Sequence, residues 1–317
     1  MTTRQGDLPV IHVKGNDICE GYQNAVLAVF DNGARIETPK HTTQTPLGWD
    51  ATVTVEIADP QSLRRIHKIG IPGFIPELEV YRLEAVWGIH NNWVGDGWDY
   101  TYHERIFEYR LPDGSRVNQI ANMIKVIKSN YKEKGRVSGR DFQVSTWMPW
   151  NDPFVDDPPC LQRIHFRLFK SENEGEYLLH MTTHWRSRDL FKAWCMNVYA
   201  MTDLQRLVAK WISEELGFPV FVGKYIDISN SLHLYGAYAH DIEGAVMRMR
   251  EKNHYELSWE ITEPNLNFHE EVIATRRLAA AQNKAEATGH GKMIPKDRLI
   301  ELGYEVDSFE YPKEWDE

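Results

Sequence analysis

The stretch WMPWNDPFVDDPPCLQRIHFRLF, residues 147–169, changes character at one point. Up to Pro159 it is a run of turn formers, closed by two prolines whose fixed φ stiffens the chain and restricts the residue before each. After Cys160 it alternates: Ile164, Phe166 and Leu168 fall on one side of an extended chain, and Arg163, His165 and Arg167 on the other. The pattern reads as a strand with one face in a core, and Cys160 stands at its mouth. The polar segment KSENEG separates it from EYLLHMTTHW, residues 176–185, which also alternates, so the two predict a hairpin. TVTVEI, residues 52–57, predicts a further strand.

Helical periodicity appears further out in both directions. VNQIANMIKVIKSN, residues 117–130, places Val117, Ile120, Ile124 and Ile127 on one face just after a Pro112-Asp113-Gly114 turn. TDLQRLVAKWISEELGFP, residues 202–219, repeats Leu204, Leu207, Val208, Trp211 and Ile212. Thr202 and Gln205 there have capping-box spacing, and Gly217 and Pro219 are stop signals. Residues 269–291 predict another helix ending near Gly289, and the acidic tail that follows has a less ordered composition. No repeat, low-complexity linker or clear boundary divides the chain, so one mixed α+β domain is expected.

Composition narrows the function. The 317 residues are 42% hydrophobic and 26% charged, enough to bury a sizeable core, and 46 acidic against 36 basic residues leave a net charge of -10. That charge disfavours general attraction to nucleic acid or an anionic membrane while leaving local anion sites open. Cys19, Cys160 and Cys195 show neither zinc-site spacing nor disulfide density, which predicts a reduced, cytoplasmic setting. The first residues lack the apolar core of a signal peptide, and no apolar run approaches the length of a membrane span.

Four places could carry chemistry. Cys160, on its rigid mount, suits a nucleophile, although a free cysteine is commonly a small buried hydrophobe. In HWRSRDLFKAWCMNVYAM, residues 184–201, Arg186 and Ser187 offer a guanidinium fork beside a hydroxyl, a natural pair for a phosphate monoester, although such a tetrapeptide is often a solvated turn. Asn197, inside the apolar run AWCMNVYAM, either bonds the backbone or presents donor and acceptor together to a base edge. His233 and Tyr235 in SLHLYGAYAHD lie two apart on a strand, as a ligand pair or as polar-tipped core residues. Glu84, among Leu83, Val86 and Trp87, is a lone carboxylate placed either for a salt bridge or for proton transfer. The histidines form no HExxH or other metal spacing, and no metal is expected.

In this order the pieces resemble the thymidylate synthase family, which includes the pyrimidine nucleotide hydroxymethylases. The matching segments are Glu84 to Trp87, Tyr102 before the Pro-Asp-Gly turn, Arg140 with Trp147, Cys160 after proline, Arg186-Ser187-Arg188-Asp189, Asn197, and His233-Leu234-Tyr235. They span roughly residues 80–240. The resemblance implies a catalytic domain over residues 1–290, an acidic tail over 291–317, and a mixed β-sheet packed with helices that pairs sheet to sheet as a homodimer. Departures are equally plain. The family's arginine pair is Arg140-Asp141, the histidine after the nucleophile is Leu161, KAWCM replaces the usual segment before the asparagine, and the family's C-terminal closure is not recognisable in EYPKEWDE.

The resemblance also implies roles. Cys160 would add as a thiolate to carbon 6 of the pyrimidine, making carbon 5 nucleophilic toward the one-carbon unit of 5,10-methylenetetrahydrofolate, with Arg186 favouring ionisation. Arg186, Ser187 and Arg140 would hold the nucleotide phosphate, Arg140 from the partner subunit. Asn197 would read the base, and His233 with Tyr235 the sugar 3′-hydroxyl. Glu84 would relay protons at the base carbonyl and Tyr102 would assist loss of the carbon 5 proton, while Asp189 and Trp98 would meet the folate. An asparagine at 197 matches uracil, which favours dUMP over dCMP. Hydride completing the reaction gives dTMP, water gives a hydroxymethyl nucleotide, and a non-catalytic nucleotide-binding module is a third possibility.

Overall fold

The computed structural model describes residues 6–37, 45–71, 75–95, 97–137 and 139–260, and, in the C-terminal stretch, residues 277, 278, 280–282, 284, 285, 296–304 and 306. The chain opens with β1 (Val10–Gly15), α1 (Ile18–Asn32), β2 (Ala34–Ile36), β3 (Gly48–Ile57) and β4 (Ile66–His67). Then come α2 (Ile75–Trp87), α3 (Tyr102–Phe107), β5 (Tyr109–Arg110), β6 (Arg116–Val117) and α4 (Gln119–Lys134). The site-bearing half is β7 (Gln143–Ser145), β8 (Leu161–Lys170), β9 (Tyr177–Trp185), β10 (Arg188–Asp189), α5 (Trp194–Leu216), β11 (Val220–Leu234), α6 (Ala239–Glu251) and β12 (Ser258–Trp259).

One mixed sheet organises these elements in the order β1-β3-β11-β9-β8-β7, with β2 added on β3 and β10 on β11. The predicted hairpin is β8 antiparallel to β9, and β11 runs parallel to β9 and antiparallel to β3. Helices cover one face. Alternation shows which: Val53, Val55 and Ile57, then Ile164, Phe166 and Leu168, then Leu179 and Met181 are buried beneath α1 and α5, as the period of two requires. The opposite parity, Arg163, His165 and Arg167 on β8 and His180 and Thr182 on β9, is at least partly open.

Three local departures from regular pairing aim side chains. At the start of β8 the register slips between Leu161 and Arg163, so that Leu161 as well as Ile164 reaches the core. In β11 it slips between Val222 and Tyr225, and again between Ser229 and Leu232. The second slip changes which parity faces inward. Tyr225, Asp227 and Ser229 are buried before it, Leu232 and Leu234 after it, and His233 turns to the other side.

Two sequence expectations are corrected. The helix predicted from Thr202 begins eight residues earlier, at Trp194, and Thr202 is not a cap: its hydroxyl donates to Val198 O at 2.7 Å inside the helix. The early turns of α5 are mostly buried, with Trp194, Cys195, Asn197, Val198, Ala200 and Met201 inside and Met196 and Tyr199 only partly open, so no charged face marks the helical period. Val117 belongs to β6, and α4 starts after Asn118, whose side chain caps Ala121 N at 2.8 Å. The Gly217 stop is as expected, with left-handed φ of 76°. The predicted helix over 269–291 lies largely outside the described residues, although those described between 277 and 285 are helical. In the tail, Lys296–Glu301 form a short helix whose Leu299 is buried in one cluster with Ala281, Ala285 and Val306.

Gln205 has a different task from capping. Fully buried, its amide nitrogen donates to Leu179 O at 2.8 Å and to Gly223 O and Lys224 O, both at 3.2 Å, which are the carbonyls released by the first β11 bulge. Gln205→Ala is expected to lower unfolding free energy by about 2 kcal/mol, because buried carbonyls lose their donor. Urea unfolding checks this, and a loss indistinguishable from zero would refute it.

Candidate active site

The end of the sheet where β8, β10 and β11 meet is closed by α2 and the aromatic segment that follows it. A buried ion-pair network sets the angle of α2 on α5. Arg82 Nε donates to Glu79 Oε2 at 3.0 Å and Nη1 to Asp203 Oδ2 at 2.9 Å, while Tyr199 O–H donates to Glu79 Oε1 at 2.9 Å. Flanking cations hold the Asp203 carboxyl below its ordinary range in spite of burial. With α2 fixed, Tyr81 and Glu84, three apart on one helical face, both look into a cavity of about 540 Å3. That volume suits a small-molecule site.

Cys160 enters from the proline turn, whose carbonyls are gripped by a single side chain. Arg186 Nη2 donates to Pro158 O at 2.5 Å and Nε to Pro159 O at 3.1 Å, and the Arg186 backbone N–H donates to Cys160 O at 2.8 Å. The sequence expectation that Arg186 ionises the thiol is therefore only part of the picture. Burial pushes the Cys160 thiol above its ordinary range; Arg186, and behind it Arg188, pull it down, while Asp157 pushes it up. Tyr102 lies opposite, its hydroxyl accepting from Leu161 N at 3.4 Å and its ring edge-on to Trp185.

The remaining wall comes from β10, β11 and α5. Asp189 and His233 are register partners on these parallel strands, so their side chains share one side. Asp189 Oδ1 accepts from Phe191 N at 2.8 Å and Lys192 N at 3.0 Å, yet burial still raises its carboxyl above the usual range. His233 is held by Ser231 Oγ at 3.3 Å from Nδ1, and the Tyr235 ring meets it edge-on at 4.6 Å. Burial lowers its tendency to protonate, against the pull of Asp189 and Asp50, and its Nε2 has no hydrogen-bond partner among the described residues. Asn197 Nδ2 donates to Tyr81 Oη at 2.5 Å.

Cys160, Glu84, Tyr102, Ser187, Asn197, His233, Tyr235, Asp189 and Trp98 all line this one cavity. Arg186 stands just behind the Cys160 turn. Arg140 does not reach the cavity: it precedes β7 and lines a separate groove with Lys134, Arg136, Arg167 and Lys170. Trp147 follows β7 and is not part of it. Residues that the sequence reading passed over include Tyr81, which the helical spacing from Glu84 could have revealed, and Tyr100, which also lines the cavity. His90 is another: its Nδ1 lies 3.0 Å from Glu84 Oε2 and its ring stacks on Trp93 at 3.7 Å, with Trp98 edge-on to both.

The thymidylate synthase family model matches residues 75–274. The chain belongs to the thymidylate synthase family. Relatives are distant. A protein named "Putative thymidylate synthase" from Methanosarcina barkeri is 24% identical over 209 residues, 66% of this chain and 82% of that protein. Another of the same name from Methanocaldococcus jannaschii is 28% identical over 141 residues, 43% of this chain and 55% of its own length. A thymidylate synthase of Listeria monocytogenes is 24% identical over 151 residues, 48% of this chain and 42% of the synthase. The chain thus spans less than half the length of that synthase. Within the family match, the cavity collects side chains from α2 through β11.

The raised Asp189 carboxyl has a testable cost. In strong acid both folded and unfolded forms are protonated and no penalty exists; as pH rises through the unfolded value toward the folded one, stability is lost, and the loss is constant above the folded value. Asn can accept the same two backbone N–H bonds without the charge. Asp189→Asn is expected to melt higher than the parent at pH 7 and to match it in acid, by thermal melts across pH. A lower melting temperature at pH 7 would contradict the assignment.

Proposed function

We propose that this protein transfers a one-carbon unit from 5,10-methylenetetrahydrofolate to carbon 5 of a pyrimidine nucleoside monophosphate, with dUMP to dTMP as the favoured reaction. The observation that carries this reading is the convergence of Cys160, Glu84, Asn197, His233, Tyr235 and Asp189 on one cavity in a member of this family. The folate supplies the one-carbon unit and, for a methyl product, the hydride.

The chain's own residues divide the remaining work. The Cys160 sulfur forms a bond to carbon 6 and stays there while the carbon 5 proton is lost and the folate nitrogen departs; it leaves as thiolate when hydride, or water for a hydroxymethyl product, adds to the resulting methylene and the carbon 5–carbon 6 double bond reforms. In this reading Tyr102, hydrogen-bonded to the start of β8, assists that proton's departure, and Glu84, within 3.0 Å of His90 Nδ1, exchanges protons at the base carbonyl. Asn197 reads the base together with Tyr81. Its Nδ2 is given to the tyrosine, which leaves the carboxamide oxygen to accept from an imide N–H; uracil has one and neutral cytosine does not. The orphan His233 Nε2 fits a sugar hydroxyl, with Tyr235 beside it. Asp189 and the aromatic wall of Trp98 fit a flat, hydrogen-bonding pterin.

Phosphate would meet Ser187 and the Arg186 turn, and Arg140 would serve a neighbouring subunit. Its place in a groove apart from the cavity, and a sheet face that no helix among the described residues covers, support a sheet-to-sheet homodimer as part of the same proposal. A cytoplasmic setting accords with three free cysteines.

Incubation with methylenetetrahydrofolate and dUMP, dCMP, UMP or CMP separately, with product masses and dihydrofolate absorbance, tests the reaction. The expected result is dUMP heavier by a methylene unit with dihydrofolate formed, and a loss on the order of 10³-fold or more in Cys160→Ser. Product heavier by CH2O without dihydrofolate would replace methylation by hydroxymethylation. Turnover confined to the cytidine nucleotides would overturn the Asn197 assignment, and nucleotide binding with no turnover would leave a binding module only.

A further inference from the structure

The chain reverses direction where α2 ends at Trp87. Gly88 follows with a left-handed φ of 69°, and a side chain at that position would run into the His103 ring. The reversal decides where His90 goes. Were the helix to continue, His90 would stand about 120° around its axis from Glu84. Instead the chain folds back, and His90 Nδ1 lies 3.0 Å from Glu84 Oε2. Backbone bonds hold the reversal: Asn91 N donates to Gly88 O and Trp93 N to His90 O, both at 3.0 Å. Side chains tie it to the start of α3, where Thr101 O–H donates to Asn91 Oδ1 at 2.7 Å and Asn91 Nδ2 to His103 Nδ1 at 2.8 Å.

The imidazole uses its edge and its face differently. At the edge, an ionised Glu84 can only accept, so Nδ1 carries the proton and donates. With Oε2 taken, Oε1 is the oxygen left to meet a ligand. On the face, the ring stacks on Trp93 with centroids 3.7 Å apart and planes 13° from parallel. Both rings are buried. Trp98 meets the two of them edge-on, at 5.9 Å from His90 and 5.1 Å from Trp93. Glu84 and Trp98 line the cavity. One buried imidazole therefore touches both the carboxylate assigned to the base and the indole assigned to the folate.

We propose that His90 is a positioning residue with two separable tasks: its Nδ1–H aims the Glu84 carboxylate at the base, and its ring, stacked on Trp93, backs Trp98 as the wall for the folate. The proposal rests on the roles given to Glu84 and Trp98 under the proposed function. His90 itself meets neither substrate, and it acts through these two neighbours.

Two variants of the full-length protein separate the tasks. His90→Phe keeps a ring on Trp93 and loses the donor, whereas His90→Asn keeps an N–H near the Nδ1 position and loses the stack. Turnover is followed by product mass with dUMP and methylenetetrahydrofolate. His90→Phe is expected to lower kcat about tenfold with the folate KM unchanged, because a misaimed carboxylate costs rate. His90→Asn is expected to keep most of kcat and to raise the folate KM roughly threefold, the scale of one aromatic contact. A merely structural histidine would not give this crossed pattern. Should His90→Phe not fold, His90→Leu replaces it; neither Leu nor Asn stacks, so a kcat lower in Leu than in Asn isolates the donor. An unchanged kcat in His90→Phe, or the same losses in every variant, overturns the proposal. A parent protein that turns over no nucleotide, or a Cys160→Ser variant that keeps full turnover, instead overturns the proposed function, and this proposal falls with it.

Discussion

Asp227 is a carboxylate with no solvent exposure in the longest strand of the sheet, and the surrounding elements are arranged around its need for donors. An ion buried alone costs several kcal/mol, so its partners must all be in place when the core closes. They come from β9 through Thr183, β10 through Arg188, α5 through Trp194, and β11 itself through Tyr225 and Ser229. Satisfying one carboxylate therefore fixes the parallel alignment of β10 on β11 and the depth of α5 against both. Once β10 is pinned, Ser187 and Asp189 have only the cavity side to occupy.

The rest of the site follows from two kinds of correction to regular structure. Bulges in β8 and β11 change side-chain parity where the strands reach the cavity, so that Leu161 packs inward after Cys160 and His233 turns out between two core leucines. Polar side chains then absorb the backbone groups these irregularities release: Gln205 takes the carbonyls of the β11 bulge, and Arg186 takes those of the proline turn. A rigid mount for the nucleophile and a deep wall for the ligand are thus consequences of hydrogen-bond satisfaction as much as of packing.

Much of this was legible in the residues. The hairpin of β8 and β9, the inward set Ile164, Phe166 and Leu168, and the Gly217 helix stop follow from periodicity and local conformational preference, which act over a few residues. The early turns of α5 were hidden because burial of most of their residues erases the charged face that marks a helix. Thr202 and Gln205 matched a cap in spacing, but a cap needs unsatisfied helix N–H groups, and at that point the helix is already under way. Tyr81 and His90 were passed over because each acts on a named residue, Asn197 or Glu84, across a fold that spacing alone does not display.

By itself, then, the sequence determined the α+β class, the strand that carries Cys160, and an ordered set of side chains that the structure gathers on one cavity. These rest on short-range physics: alternation, proline stiffness and turn chemistry. Tertiary structure decided which of two neighbouring arginines grips the turn and which is buried against Asp227, and it placed Arg140 in another groove altogether. Those outcomes depend on strand register and on where charge is enclosed. Both are set by contacts between residues far apart in the chain, and the four letters Arg-Ser-Arg-Asp do not contain them.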